Sequence, residues 1–311
     1  MALKDWIEAS RLRTLPLAAS CVLVGAAVSH RRAQGIDLLQ DQFWTVFSVI
    51  LVTVILLQIL SNWANDWGDF ENGADDASRT DRAVASGRIS PGEMKKAIVV
   101  LAVLCLLSGL LSLFLAFQAS RLFSLPLLLL LIGIGAIVAA FRYTAGKNPY
   151  GYKGYGDAMV FLFFGWIGVG GTAVLLAHEW DMTWLLPGTW SGAMCVAVLN
   201  LNNMRDHVTD ADAGKHTLVV RNGLLWAKRY HTALFVIGWM SWWVFALVLN
   251  PGDWRGMGWI AILNAVHVAH IFRVMRFKNT SDFDPELKRI ALSSAVVALF
   301  LLMAQTGITA Q

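Results

Sequence analysis

Nine stretches of roughly 20 mostly apolar residues punctuate this chain, at about 14–29, 43–64, 95–118, 122–142, 157–177, 184–204, 226–249, 256–275 and 288–306. A helix rising ~1.5 Å per residue needs that length to cross a ~30 Å hydrocarbon core. Lipid offers backbone N–H and C=O groups no partner, and these long continuous runs permit only the element that satisfies its own backbone, the α-helix. The expected fold is therefore all-α integral membrane, with about nine transmembrane helices in a single bundle and residues 1–311 forming one domain. Charge supports this: only 15% of residues are charged, against about 25% in a soluble domain. Cys21, Cys105 and Cys195 fall inside apolar runs and read as small hydrophobes, not as a disulfide set or a metal site. Residues 1–13, with Trp6, Arg11 and Arg13, lack the pattern of a cleavable signal and read as an interfacial segment leading into the first span.

Nine spans put the N-terminus and four of the loops on one side. Of the 25 Lys and Arg residues, only Arg31, Arg32, Arg121 and Arg255 fall on the other. The positive-inside rule makes the crowded side cytoplasmic. The acids divide the same way: of 21, only Asp37, Asp41, Glu179, Asp181 and Asp253 lie opposite. Acidic residues contribute little to orientation, so their clustering points to chemistry at that face. Basic residues interspersed with acids in several loops do not make a nucleic-acid surface.

Two acidic segments stand out, Asn65-Asp66-Trp67-Gly68-Asp69 continuing to Asp75, and Asn202-Asn203-Met204-Arg205-Asp206 continuing to Asp210. Aligning Asp69 with Asp206 pairs Asn65 with Asn202 and Asp66 with Asn203. The segments are four spans apart, which predicts a pseudo-repeat of a four-helix unit with a site between the halves. Asp66 and Asp69 are three apart, Asp206 and Asp210 four apart, so each pair shares a helix face. Facing carboxylate pairs repel unless a cation separates them. Carboxylate and amide oxygens suit Mg²⁺, which keeps waters and bridges to phosphates. Arg79, Arg82, Arg205 and Lys215 lie near the acids and match diphosphate oxygens. Residues 65–94 and 205–225 are accordingly expected to be cytoplasmic active-site loops.

Further pieces fall in order along nearly the whole chain. They are Arg13-Thr14-Leu15-Pro16, Leu57-Gln58-Ile59-Leu60-Ser61-Asn62, Tyr143-Thr144-Ala145-Gly146, Pro149-Tyr150-Gly151-Tyr152, Gly156-Asp157 and Gly214-Lys215-His216-Thr217. Together with the two acidic segments they resemble the UbiA-type superfamily of intramembrane aromatic prenyltransferases. The resemblance implies a helical bundle in the bacterial inner membrane, a cytoplasmic-side site, a lipid-open cavity for the prenyl tail and Mg²⁺ dependence. It implies polyprenyl diphosphate as donor and, from the naphthoate-type branch, 1,4-dihydroxy-2-naphthoate as acceptor, with loss of diphosphate and CO₂. Asp66, Asp69 and Asp75 would hold one metal ion, and Asp206 and Asp210 the other. Arg79, Arg82, Lys147 and Lys215, aided by Asn65, Asn202 and Arg205, would bind diphosphate. Tyr143 and Lys147 match the family's Tyr-x-x-x-Lys element.

Two departures qualify the resemblance. Gly73 stands where the superfamily pattern has a third Asp, with Asp75 two residues on as in naphthoate-type members. The stretch from Arg79 to Ser90 resembles other branches, which leaves 4-hydroxybenzoate, haem or a chlorin open as acceptor. A secondary transporter is the alternative from another class. His267 and His270, three apart in the eighth span, read as a ligand pair or, better, as hydrogen-bonded helix packing. The Gly165, Gly168, Gly170 and Gly171 series reads as close helix approach.

Overall fold

The computed structural model describes residues 2–33, 40–75, 79, 82–117, 125–249 and 254–306. Every regular element among them is helical. A short helix α1 (Leu3–Ala9) and a 3₁₀ turn (Leu12–Thr14) precede α2 (Leu15–Ala33). Long helices follow: α3 (Gln40–Glu71), α4 (Pro91–Phe117) and α5 (Leu125–Arg142). The fifth apolar run is α6 (Gly156–Phe161), one π-helical stretch (Leu162–Ile167) and α7 (Gly168–Ala177). Then come α8 (Leu185–Asp212), the short α9 (Leu218–Asn222), α10 (Leu224–Trp243), α11 (Trp254–Arg276) and α12 (Asp284–Thr306).

Eight helical segments among the described residues are long and apolar enough to cross a membrane. The eighth expected span, 256–275, is also helical, as α11, but is not among those eight. The protein is an all-helical integral membrane protein. Residues 122–124 and 118, at the edges of two expected spans, lie outside the described residues, as does Arg121, one of the markers used for orientation.

The loops expected at 65–94 and 205–225 need correcting. Helix α3 runs on through Glu71 and α8 through Asp212, so both acidic segments are helix ends. The apolar run set the expected boundary, yet a helix has no reason to stop where the membrane does, and Asn65–Glu71 contains one glycine and no proline. Residues 76–78 and 80–81, within the first expected loop, lie outside the described residues.

Of the expected glycine series, Gly165, Gly168 and Gly170 meet close neighbours, whereas a Cβ on Gly171 would meet nothing within 4 Å. A Cβ on Gly165 would sit 2.7 Å from the Gly188 carbonyl oxygen, and one on Gly192 would sit 2.8 Å from that of Phe161. The fifth run can therefore lie directly on α8. His267 and His270 do pack helices: His270 Nδ1 lies 2.5 Å from Glu286 Oε2 on α12, and its Nε2 lies 2.8 Å from His231 Nε2 on α10. All four side chains are buried.

Candidate active site

Helices α3 and α8 carry the two acidic segments to one cavity of about 820 Å³. Both helices line it at helical spacing. On α3, Gln58, Ser61, Asn62, Asn65 and Asp69 face it toward the helix C-terminus, and Ile50, Val54 and Leu57 face it deeper down. On α8, Asn202, Asn203, Asp206 and Asp210 line the same mouth, with Cys195 and Val198 below them. From Asp69 to Ile50 the cavity follows α3 for roughly 28 Å at ~1.5 Å per residue, close to the hydrocarbon thickness. It is polar at one end and apolar along the rest. Each helix C-terminus adds a partial negative charge there.

Lys215 joins the two segments. Its Nζ lies 3.2 Å from Asp69 Oδ1 and 3.4 Å from Asp210 Oδ1. Burial works against the Lys215 ammonium, but the charges of Asp69 and Asp210 outweigh it and raise its pKa. Asp69 Oδ1 also accepts a 2.7 Å hydrogen bond from the Tyr152 hydroxyl, whose ring lies under Lys215. Burial and the Asp69 charge raise the Tyr152 pKa, so the phenol stays a donor. Arg82 approaches Asp69 Oδ2 at 3.7 Å. Asp206 is gripped by its neighbour: Arg205 Nε and Nη2 donate to its two oxygens at 2.8 and 2.7 Å. Arg205 Nη1 reaches Asp284 at 2.6 Å, and Arg13 reaches the same oxygen at 3.0 Å.

The structure sorts the expected residues into three groups. Asn65, Asp69, Arg82, Tyr143, Asn202, Asp206, Asp210 and Lys215 line the cavity. Asp66, Asp75, Arg79 and Arg205 do not line it, but Asp75 and Arg205 pair with the lining residues Arg82 and Asp206. Asp66 Oδ2 accepts from the Ala83 N–H at 3.0 Å, and its Oδ1 is buried without a hydrogen-bond partner among the described residues. Asp75 pairs with Arg82 at 3.1 Å and Arg79 at 3.4 Å. Burial first, then the Asp69 charge, push the Asp75 carboxyl up to about 6. Lys147 is brought to neither group. It is exposed, on the turn after α5, and does not border the cavity. Lys215, expected alongside it, does line the cavity.

The expected trio of Asp66, Asp69 and Asp75 does not converge on one point. Among the described residues, no three His, Cys, Asp or Glu side chains could hold an ion on their own. Arg82 pairs with both Asp69 and Asp75, and Lys215 with both Asp69 and Asp210.

Two residues given no role from sequence matter here. Arg11 lines the cavity in a left-handed conformation, φ 48 and ψ 61. Its Nη2 is buried without a hydrogen-bond partner among the described residues, close enough to feel Asp66, Asp69 and Asp75. A non-glycine residue at positive φ is uncommon and is held there by its surroundings. Asp284 fixes Arg205. Neither lies near the acidic segments in sequence, so only contact in space reveals them.

The UbiA prenyltransferase family pattern matches residues 18–294. The 1,4-dihydroxy-2-naphthoate octaprenyltransferase of Haemophilus influenzae is 37% identical over 303 residues, covering 96% of this chain and 93% of that protein. The enzyme of the same name from Escherichia coli is 37% identical over 301 residues, covering 96% and 94%. The structure of a UbiA homolog from Archaeoglobus fulgidus bound to DMAPP and Mg²⁺ superposes with a TM-score of 0.58 at 17% identity, covering 95% of this chain and 98% of that one.

Proposed function

This chain belongs to the UbiA prenyltransferase family, and on that premise we propose that it transfers a polyprenyl group from polyprenyl diphosphate to 1,4-dihydroxy-2-naphthoate, with loss of diphosphate and CO₂. Relatives of that activity match it over nearly the whole chain. The observation that carries the reading to the residues is the cavity itself. Two acidic helix ends, bridged by Lys215, close the polar mouth of a long apolar chamber. A transporter needs its polar groups near the middle of the membrane, and here they gather at one end.

The donor set at the mouth fits Mg²⁺. It is all oxygen, from Asp69, Asp206, Asp210, Asn65 and Asn202, and Mg²⁺ binds through one or two carboxylates plus water and substrate phosphate rather than in a full protein cage. Asp69 would hold one ion, and Asp206 with Asp210 another, with Asp66 and Asp75 supporting from behind. Bound there, Mg²⁺ supplies Lewis-acid neutralisation of the departing diphosphate.

The chain's own residues do the rest. Arg82, Lys215 and Arg11 offer cations to diphosphate oxygens, and these become most favourable as negative charge builds on the leaving group. Tyr152 holds Asp69 and lies against Lys215, fixing both. The buried mouth and apolar walls keep water from the allylic cation until the electron-rich ring attacks it. The carbon–oxygen bond to diphosphate breaks, and the carbon–carbon bond to the ring forms. The ring then regains aromaticity as CO₂ leaves. The distribution of Lys and Arg supports a site that faces the cytoplasm.

The test is an assay of the purified chain with 1,4-dihydroxy-2-naphthoate, 4-hydroxybenzoate and several prenyl diphosphates, with and without Mg²⁺. The reading expects a prenylated, decarboxylated naphthoate that disappears on chelation. Prenylation of 4-hydroxybenzoate alone would reassign the acceptor.

A further inference from the structure

We propose that Gly133, Gly171 and Gly109 set the length of prenyl chain this enzyme prefers, by holding open the cavity wall at two depths. The inference rests on the function proposed above.

All three border the cavity, on α5, α7 and α4. A Cβ at Gly133 or Gly171 would meet nothing within 4 Å, and one at Gly109 would meet only Thr53 Cγ2, at 4.0 Å. Gly165 and Gly168 of the same run, by contrast, have a packing reason: an added Cβ would lie 2.7 Å from the Gly188 carbonyl oxygen at Gly165 and 3.3 Å from Cys21 Cβ on α2 at Gly168. A glycine inside a helix weakens it, and at Gly133, Gly171 and Gly109 no close neighbour requires one. What the missing side chains leave is room in the chamber.

Helix rise gives the depths. The Tyr143 ring lies at the mouth and touches the space above Gly156, at 3.1 Å from an added Cβ. Gly133 is ten residues from Tyr143 along the chain, roughly 15 Å. Gly171 is fifteen residues from Gly156, roughly 22 Å. Gly109 sits beside Thr53, which is sixteen residues from Asp69 on α3, roughly 24 Å. A prenyl unit spans four carbon–carbon bonds of about 1.5 Å, so roughly 5 Å when extended in zigzag. With diphosphate at the acids, Gly133 faces about the third unit of the tail. Gly171 and Gly109 face about the fifth.

The experiment presents the full-length protein with an equimolar mixture of donors of two, four and eight prenyl units, reading product ratios by mass. A ratio is insensitive to the fraction of protein that is folded. Gly133→Leu is expected to keep the two-unit product and cut the four- and eight-unit products at least tenfold relative to it. Gly171→Leu and Gly109→Leu are expected to keep the two- and four-unit products and cut only the eight-unit one. The smaller Gly133→Val and Gly171→Val should show the same order if either leucine variant cannot be purified. Gly135 also meets nothing within 4 Å but is exposed and does not border the cavity, so Gly135→Leu should match wild type. Unmoved ratios at Gly133 and Gly171, or equal shifts at Gly135, overturn the inference while leaving the function standing. A wild-type chain inactive on every donor overturns the function itself.

Discussion

Asp206 and Asp75 are both acids of the site region, yet the structure gives them different work. Asp206 lines the cavity with both oxygens held by Arg205. Asp206→Asn keeps the shape and removes the charge, so turnover should fall about 100-fold or more, while the detergent-solubilised protein melts within a few degrees of wild type. Near-normal prenyl transfer by that variant would remove Asp206 from the site. Asp75 is there because of Gly73. Helix α3 ends at Glu71, Gly73 takes φ 70, and the chain folds back so that the Ala74 N–H bonds the Asp69 carbonyl at 2.8 Å. Aspartate would be strained at that φ, so the carboxylate comes two residues later. With its pKa near 6, Asp75 binds a proton more tightly in the folded chain than in the unfolded one, where the usual value is 3.8. Its contribution to stability is present below about pH 4 and is lost as pH rises through about 6. Denaturant unfolding with chelator present should show that decline in wild type and a flatter profile in Asp75→Asn; parallel profiles would contradict it.

At the scale of elements, the acids are placed by a close approach between α3 and the turn after α5. A Cβ on Gly68 would lie 2.7 Å from Thr144 Oγ1 and 2.8 Å from the Thr144 carbonyl carbon. Thr144 Oγ1 donates to the Ala64 carbonyl at 3.1 Å, and the Asn72 amide donates to the Thr144 carbonyl at 2.7 Å. The glycine of the first acidic segment is thus a contact point, with Asp66 and Asp69 on either side of it. Gly68→Val should push the turn away and cost about 1–3 kcal/mol, as overpacking does, with lower turnover from displaced Tyr143 and Tyr152. A variant with unchanged melting temperature and activity would show that the turn yields freely. The three-residue spacing of Asp66 and Asp69 suited a helix through Asn65–Glu71, yet the end of the apolar run set the expected boundary before it. The partner that demands Gly68 was not, because it lies 76 residues away in the chain.

For the whole molecule, the bundle is tied together at the end that carries the site. Buried Glu286 on α12 accepts from Arg273 on α11 at 2.9 Å, and also bonds Arg289 and His270. Glu286→Ala should lose about 2 kcal/mol, the scale of hydrogen bonds to a charged group, rather than more, because both arginines still reach solvent. Thermal melting checks this, and an unchanged midpoint would show the ties to be redundant. The sequence by itself determined that the chain is a membrane helix bundle, since apolar length and backbone satisfaction leave no alternative. It also determined that two acidic segments share a site, since spacing along a helix is a local property. Tertiary structure alone decided which cations meet those acids. Of the two lysines expected there, Lys215 meets the acids and Lys147 does not border the cavity, while Arg11 and Asp284 joined from the distant ends of the chain. The reason is range: helix periodicity extends over a few residues, whereas an ion pair depends on where whole helices pack, and the small residues that set that packing are spread over the entire chain.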